Sequence, residues 1–143
     1  MASRTLRVAM LVAAVLALGA CAKPMFLRGD LKEKATKAAD DYSTNLRWGR
    51  LPEAAKFVEP LRRSEFLQFF AEGHRYRFTD IDVSAVDYDR AEMQAHATVR
   101  FTLYTMPRVK EISVVDSQRW RYDSDEDAWY VDPDLESFRS LKR

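Results

Sequence analysis

The stretch that most constrains the fold is Ala91–Tyr104, where apolar and polar residues alternate without a break. Ala91, Met93, Ala95, Ala97, Val99, Phe101 and Leu103 share one phase. Glu92, Gln94, His96, Thr98, Arg100, Thr102 and Tyr104 share the other. Successive side chains of a strand point to opposite faces, so this segment is a strand with one face for the core and one for water. Its neighbours repeat the pattern. Tyr76 and Phe78 share a phase, Ile81, Val83 and Ala85 take the other, and Val86 and Tyr88 return to the first. Such phase slips in one long strand predict a bulge or bend. Tyr88-Asp89-Arg90 marks the first turn, and Pro107 interrupts the second strand. Ile112, Val114, Trp120 and Tyr122 define a third strand, with the polar Asp116 and Gln118 in the same inward phase. Asp123–Asp127 reads as an acidic turn, Trp129–Val131 as a last strand closed by Pro133, and Asp134–Arg143 as a short tail.

Upstream of Gly73 the period is helical. Leu31, Ala35, Ala38, Tyr42 and Leu46 fall on one helix face, so a first helix is expected over about 30–48. Asp30 and Glu33 make a capping box at its start, and Gly49 is a natural stop. Pro52 suits the first position of a second, short helix carrying Ala54, Ala55, Phe57 and Val58, which Pro60 ends. Leu61–Ala71 forms a third helix with Phe66, Leu67, Phe69 and Phe70, stopped by Gly73. An aromatic stripe at helical spacing belongs in a core before it lines a ligand site.

The first 21 residues carry a different message. Arg4 and Arg7 precede an apolar run, Val8–Leu18, which ends in the small residues Gly19 and Ala20. A positive start, an apolar stretch of roughly 7–15 residues and a small-residue exit describe a secretory signal peptide. The run is shorter than the roughly 20 residues a spanning helix needs. Leu18-Gly19-Ala20-Cys21 resembles the lipobox of bacterial lipoproteins. That resemblance implies a diacylglyceryl group on the Cys21 sulfur, cleavage before Cys21 and acylation of the new amine. The implied organisation is a signal peptide over residues 1–20, a lipidated Cys21 with a tether over 21–29, and one domain over 30–143. A soluble secreted chain cut at Ala20-Cys21-Ala22, or an uncleaved anchor, are the competing readings. Ala22 stands where the inner-membrane retention signal of enteric bacteria has Asp, which favours the periplasmic face of the outer membrane. Cys21 is the only cysteine, so acylation leaves neither a thiol nor a disulfide. Ala22–Gly29 spans less than about 30 Å, which holds the domain near the bilayer.

The chain holds 23 basic and 22 acidic residues, and loss of Arg4 and Arg7 leaves one acid in excess. This balance offers no basic face for nucleic acid. Helices followed by long antiparallel strands point to an α+β domain, with helices packed on one face of a sheet of about four strands. The helix ending near Trp48-Gly49, the segment Phe57-Val58-Glu59-Pro60, and the strand ends Arg119-Trp120-Arg121 and Ala128-Trp129-Tyr130 resemble the nuclear transport factor two-like superfamily. That resemblance implies a curved sheet closing a cone, in a superfamily of isomerases, dehydratases, cyclases and non-enzymatic modules, small periplasmic lipoproteins among them. Fold cannot choose between these.

Candidate chemistry is sparse. His74 would serve as a general base at a cavity mouth, or as a solvated residue at a helix–strand junction. His96 lies on the wet face of the clearest strand, and two isolated histidines make no zinc motif. Asp80 and Asp82, beside the phase slip, are either cavity carboxylates or part of the solvent face. Asp116 is the better candidate for a buried carboxylate, with Arg100 or Arg119 as neutralising partner. Asp123–Asp127 resembles a calcium loop, but Ala128 stands where Gly is required and Asp134 where Glu is. No catalytic, cofactor-binding or metal-binding residues are therefore assigned, and Cys21 is the one site residue. The expected function is that of a membrane-anchored, non-enzymatic module that binds a protein partner, a second copy of itself, or an apolar small ligand. The strand face bearing His96, Arg100, Thr102 and Tyr104 is its expected contact surface. A small cavity enzyme using Asp or His as acid and base, and a structural subunit of an envelope assembly, are the alternatives.

Overall fold

The structure is a computed structural model that describes residues 30–72, 76–105 and 110–139. Cys21 and the whole of the expected signal and tether region, Gly73, His74 and Pro107 lie outside the described residues, as does the side chain of Asp30 on which the expected capping box rests. The chain divides after Asp30, and the fold set out below is that of the second part.

The element order is α1 (Asp30–Arg47), α2 (Leu51–Ala55), a single 3-10 turn (Pro60–Arg62), α3 (Arg63–Glu72), β1 (Tyr76–Asp89), β2 (Gln94–Thr105), β3 (Lys110–Asp123), β4 (Ala128–Asp132) and α4 (Leu135–Arg139). The four strands form one antiparallel sheet in sequence order. The domain is α+β, as the change of period at Gly73 predicts.

α1 stops where Gly49 predicts, in a Schellman arrangement. Arg50 N–H reaches Asn45 O at 2.8 Å and Gly49 N–H reaches Leu46 O at 3.0 Å. Gly49 holds φ +67°, a conformation in which a Cβ is strained. The second helix is shorter than expected. It ends at Ala55, the chain turns through Lys56 and Phe57, and Val58 then forms a parallel bridge with Val131 of β4, with Val131 N–H on Phe57 O at 2.7 Å and Glu59 N–H on Val131 O at 3.0 Å. Pro60 holds Glu59 out of the helical region, at ψ 132°. The freed segment covers the open edge of β4. The third helix is likewise split: Pro60–Arg62 forms the 3-10 turn and α3 begins at Arg63.

β1 contains two register shifts, one between Phe78 and Asp80 at the expected phase slip and one between Val83 and Ala85, earlier than expected, which leaves Ala85 exposed rather than in phase with Ile81 and Val83. The extra residues are Thr79 and Ser84. Their hydroxyls donate to Thr102 O at 3.1 Å and Thr98 O at 3.0 Å, so each bulge is tied to β2. The two described hairpin turns share one design. Asp89 Oδ1 accepts from Ala91 and Glu92 N–H, and Asp123 Oδ1 accepts from Asp125 and Glu126 N–H. Each turn closes on a residue of positive φ, Met93 at 54° and Asp127 at 50°. The Asp89 cap moves the first turn to Arg90–Met93, so Ala91 and Met93 belong to the turn and β2 starts at Gln94.

Ala95, Ala97, Val99, Phe101 and Leu103 on β2 are all buried, as alternation predicts, while His96, Thr98 and Arg100 are exposed. The core lies between this sheet face and the helices. Tyr42 of α1 stands edge-on to Trp120 of β3 at 5.8 Å, and Phe66 and Phe70 of α3 are 5.0 Å apart. The tail departs from expectation. Leu135–Arg139 is a helix, with Leu135 and Phe138 buried and Phe138 against Phe70, Phe78 and Phe101. Asp134 caps it, accepting from Glu136 N–H at 3.1 Å and Ser137 Oγ at 2.7 Å.

Candidate functional site

β3 separates two polar groups that alternation sends to opposite faces. Asp116, Gln118 and Trp120 point inward and are buried, whereas Ser117 and Arg119 point outward and are exposed.

The inward group is a hydrogen-bonded ladder along one strand. Trp120 Nε1 donates to Gln118 Oε1 at 3.2 Å, and Gln118 Nε2 donates to Asp116 Oδ2 at 3.1 Å. The two ends fix the amide of Gln118, because a flipped amide would set donor against donor and oxygen against oxygen. Asp116 Oδ1 and Ser43 Oγ are buried without a hydrogen-bond partner among the described residues. Burial raises the Asp116 carboxyl to about 6; the Gln118 hydrogen bond opposes the rise, and the nearby Asp134 charge adds to it. Tyr42 is pushed up as well, by burial first and then by the Asp116 charge. The expected neutralising arginines are not there. Arg100 and Arg119 project from the wet face, and Arg119 pairs with Asp132 at 3.1 Å instead. A residue one position from Asp116's phase cannot reach it through the sheet.

The outward group lines a cleft of about 580 Å³ beside α4, where His96, Ser117 and Arg119 of the sheet meet Arg62, Glu65, Asp132 and Arg139. An unbroken chain of ion pairs crosses it. Arg119 and Arg62 both bind Asp132, Arg62 also binds Glu65, Glu65 binds Arg139, and Arg139 binds Glu136. Exposed pairs of this kind contribute about 0–1 kcal/mol each, but together they join α3, β3, β4 and α4 at one surface. Asp116 is not among the residues lining the cleft.

The remaining candidates are scattered. Asp80 is exposed and 3.6 Å from Arg47 of α1, and Asp82 lines a separate notch with Asp40 and Thr44. His96 opens on the charged cleft, and His74 lies outside the described residues. The acidic turn is occupied by the protein's own donors: Asp127 accepts from Lys34 at 3.1 Å and from the Tyr122 hydroxyl, which together hold its carboxyl below the usual range. Among the described residues no group of three or more His, Cys, Asp or Glu is arranged to hold a metal ion. No described helix is long and apolar enough to cross a membrane. His96, Arg100, Thr102 and Tyr104 do share the outer face of β2, where the Tyr104 hydroxyl donates to Glu111 at 3.0 Å and the exposed Val115 stands opposite Arg100.

Sequence reasoning placed Asp116, Gln118 and Trp120 in one inward phase and Tyr42 on the core face of its helix, but missed the hydrogen bonds that join the three into a ladder, and the cleft. The cleft depends on α4, whose signal was the cap Asp134 followed by Leu135 and Phe138 at helical spacing. No family model, no curated protein and no solved structure matches this chain.

Proposed function

We propose that this protein is a lipid-anchored module of the bacterial cell envelope, held through Cys21 at the periplasmic face of the outer membrane and acting by binding rather than catalysis. The anchor half of the reading rests on Arg4, Arg7, the run Val8–Leu18 and the lipobox ending in Cys21. For the domain we favour the cone-shaped, nuclear transport factor two-like fold. What supports it is the order of helices before a four-stranded antiparallel sheet, the α1 stop at Trp48–Gly49 and the two bulges of β1.

The binding half is carried by one observation: the carboxylate whose pKa is raised, Asp116, and the open cleft lie on opposite faces of β3. A general acid or base must come within about 3 Å of the proton it moves. The inward face is instead filled by Tyr42, Phe66, Phe70 and Trp120. The surface left for function is the outer sheet face with His96, Arg100 and Tyr104, open to a protein partner or a second copy of the chain. The cavity-enzyme alternative keeps one specific support, the raised pKa and unpartnered Oδ1 of Asp116.

Two measurements test the proposal. Metabolic labelling with a fatty-acid analogue is expected to mark the wild type and not Cys21→Ser, which also loses its place in the membrane fraction. A variant that still matures and stays with membranes refutes the anchor. Crosslinking from Val115 in whole cells is expected to give a defined adduct, and recovery of monomer alone refutes binding through that face.

A further inference from the structure

Three tryptophans report on very different surroundings. Trp120 and Trp129 are buried, whereas Trp48, one residue past α1, is 65% exposed. An indole in water leaves a large apolar ring unburied, and such residues concentrate where one end of the ring can be apolar and the other wet. Trp48 sits at a notch of about 510 Å³ where α1 ends and β1 begins, walled by Leu46, Phe70 and Phe78. Among the described residues the charges lining that notch are of one sign, Arg47 and Arg77. The Arg47 guanidinium lies 5.7 Å from the centre of the Trp48 ring and also pairs at 3.6 Å with Asp80, which is outside the lining. The charged cleft beside α4 presents no comparable case, because Glu65, Asp132 and Glu136 line it together with its arginines.

We propose that this end of the fold, Trp48 with Arg47 and Arg77 around the apolar notch, docks on the surface of an anionic bilayer. The inference rests on the lipid-anchored reading above and adds how the anchored domain sits. Indole at the headgroup level and arginine at a negatively charged surface are the two contacts an interface rewards, and the second requires anionic lipid. Reach permits it. α1 is about 27 Å long at 1.5 Å per residue, and a tether of eight residues extends to less than about 30 Å. A bilayer that holds the lipid can therefore also meet the far end of α1.

The three tryptophans supply the assay. The whole lipidated protein is placed in vesicles of phosphatidylcholine with bromine on the acyl chains, with or without phosphatidylglycerol, and its fluorescence is followed. With phosphatidylglycerol present, quenching of the share belonging to one tryptophan among three is expected, together with loss of iodide access from the aqueous side. Raised salt and the double variant Arg47→Gln, Arg77→Gln should both reverse it, and Trp48→Phe should abolish it. If the protein floats with the vesicles while Trp48 stays open to iodide and untouched by bromine, docking is refuted and the anchor stands. If Trp48 becomes shielded from iodide without bromine quenching, another protein surface covers it and docking is again refuted. A chain that remains in the aqueous phase when vesicles are collected overturns the anchor, and this inference with it.

Discussion

Replacing Asp116 by Asn should make the stability of the protein less sensitive to pH, by an amount the structure sets. The carboxyl is raised from 3.8 to about 6 by burial. Below the lower value Asp116 is protonated whether the chain is folded or not, and it costs nothing. Between the two values the folded chain holds a proton that the unfolded chain has released, so stability falls as pH rises through that window. Above about 6 the full cost is present: roughly two pH units at about 1.36 kcal/mol each, or about 3 kcal/mol. Asp116 is 1% exposed, so solvent screening does not reduce this figure. Asn keeps the shape and the oxygen that accepts from Gln118, but it cannot ionise. Urea unfolding of both proteins at about pH 4.5 and about pH 7.5 isolates the effect, because Asp127 and the other carboxylates are common to the pair. From the lower to the higher pH, the variant should gain about 2 kcal/mol on the wild type. Any fixed penalty for a buried amide hydrogen beside the former Oδ1 drops out of that change. A difference that stays level within about 0.5 kcal/mol would mean that water reaches Asp116, and the sealed inward face would have to be abandoned.

Two further changes test the frame around that face. Phe138→Ala removes a ring that is 3% exposed and touches Phe70, Phe78 and Phe101; thermal or urea unfolding should show a loss of about 3–5 kcal/mol, and a loss below about 1 kcal/mol would mean that α4 is not part of the core. Gly49→Ala places a Cβ at φ +67° with no atom within 4 Å, so the cost is backbone strain alone, about 1–2 kcal/mol, and an unchanged unfolding midpoint would rule out the left-handed stop of α1.

The legible parts of this fold are those where a local rule and the tertiary structure agree. β2 alternates because one face meets the helices, and its buried residues follow that alternation from Ala95 to Leu103. The bulges of β1 were visible because a bulge moves the apolar phase, and the phase is written in Ile81, Val83 and Val86. Phe57–Glu59 was misread because helical spacing cannot see a strand edge that lies some seventy residues away at Val131. The tail was misread for the opposite reason: its apolar signal, Leu135 and Phe138, is only two residues long, and the aromatic pocket that makes it decisive is assembled from α3, β1 and β2. The cleft inherits that difficulty. Its ion pairs join Glu65 to Arg139 and Arg62 to Asp132, separations that no spacing rule spans.

The register of β3 ties these observations together. β3 pairs with β2 without a shift from Gln94 opposite Arg121 to Tyr104 opposite Glu111. A slip of one residue would turn Asp116, Gln118 and Trp120 toward the cleft and bring Ser117 and Arg119 into the core. It would expose a fully buried indole and bury a guanidinium away from Asp132, and both changes oppose it. Asp116 is thus held inward by its neighbours rather than by an oppositely charged partner among the described residues. α4 packs on the same strand and follows Asp134, the acid whose charge acts on Asp116. Displacing α4 would cost the burial of Leu135 and Phe138 as well as the ion pairs of Arg139. A ligand that meets the folded domain therefore meets surfaces such as the outer sheet face, the charged cleft and the notch at Trp48 before it meets Asp116.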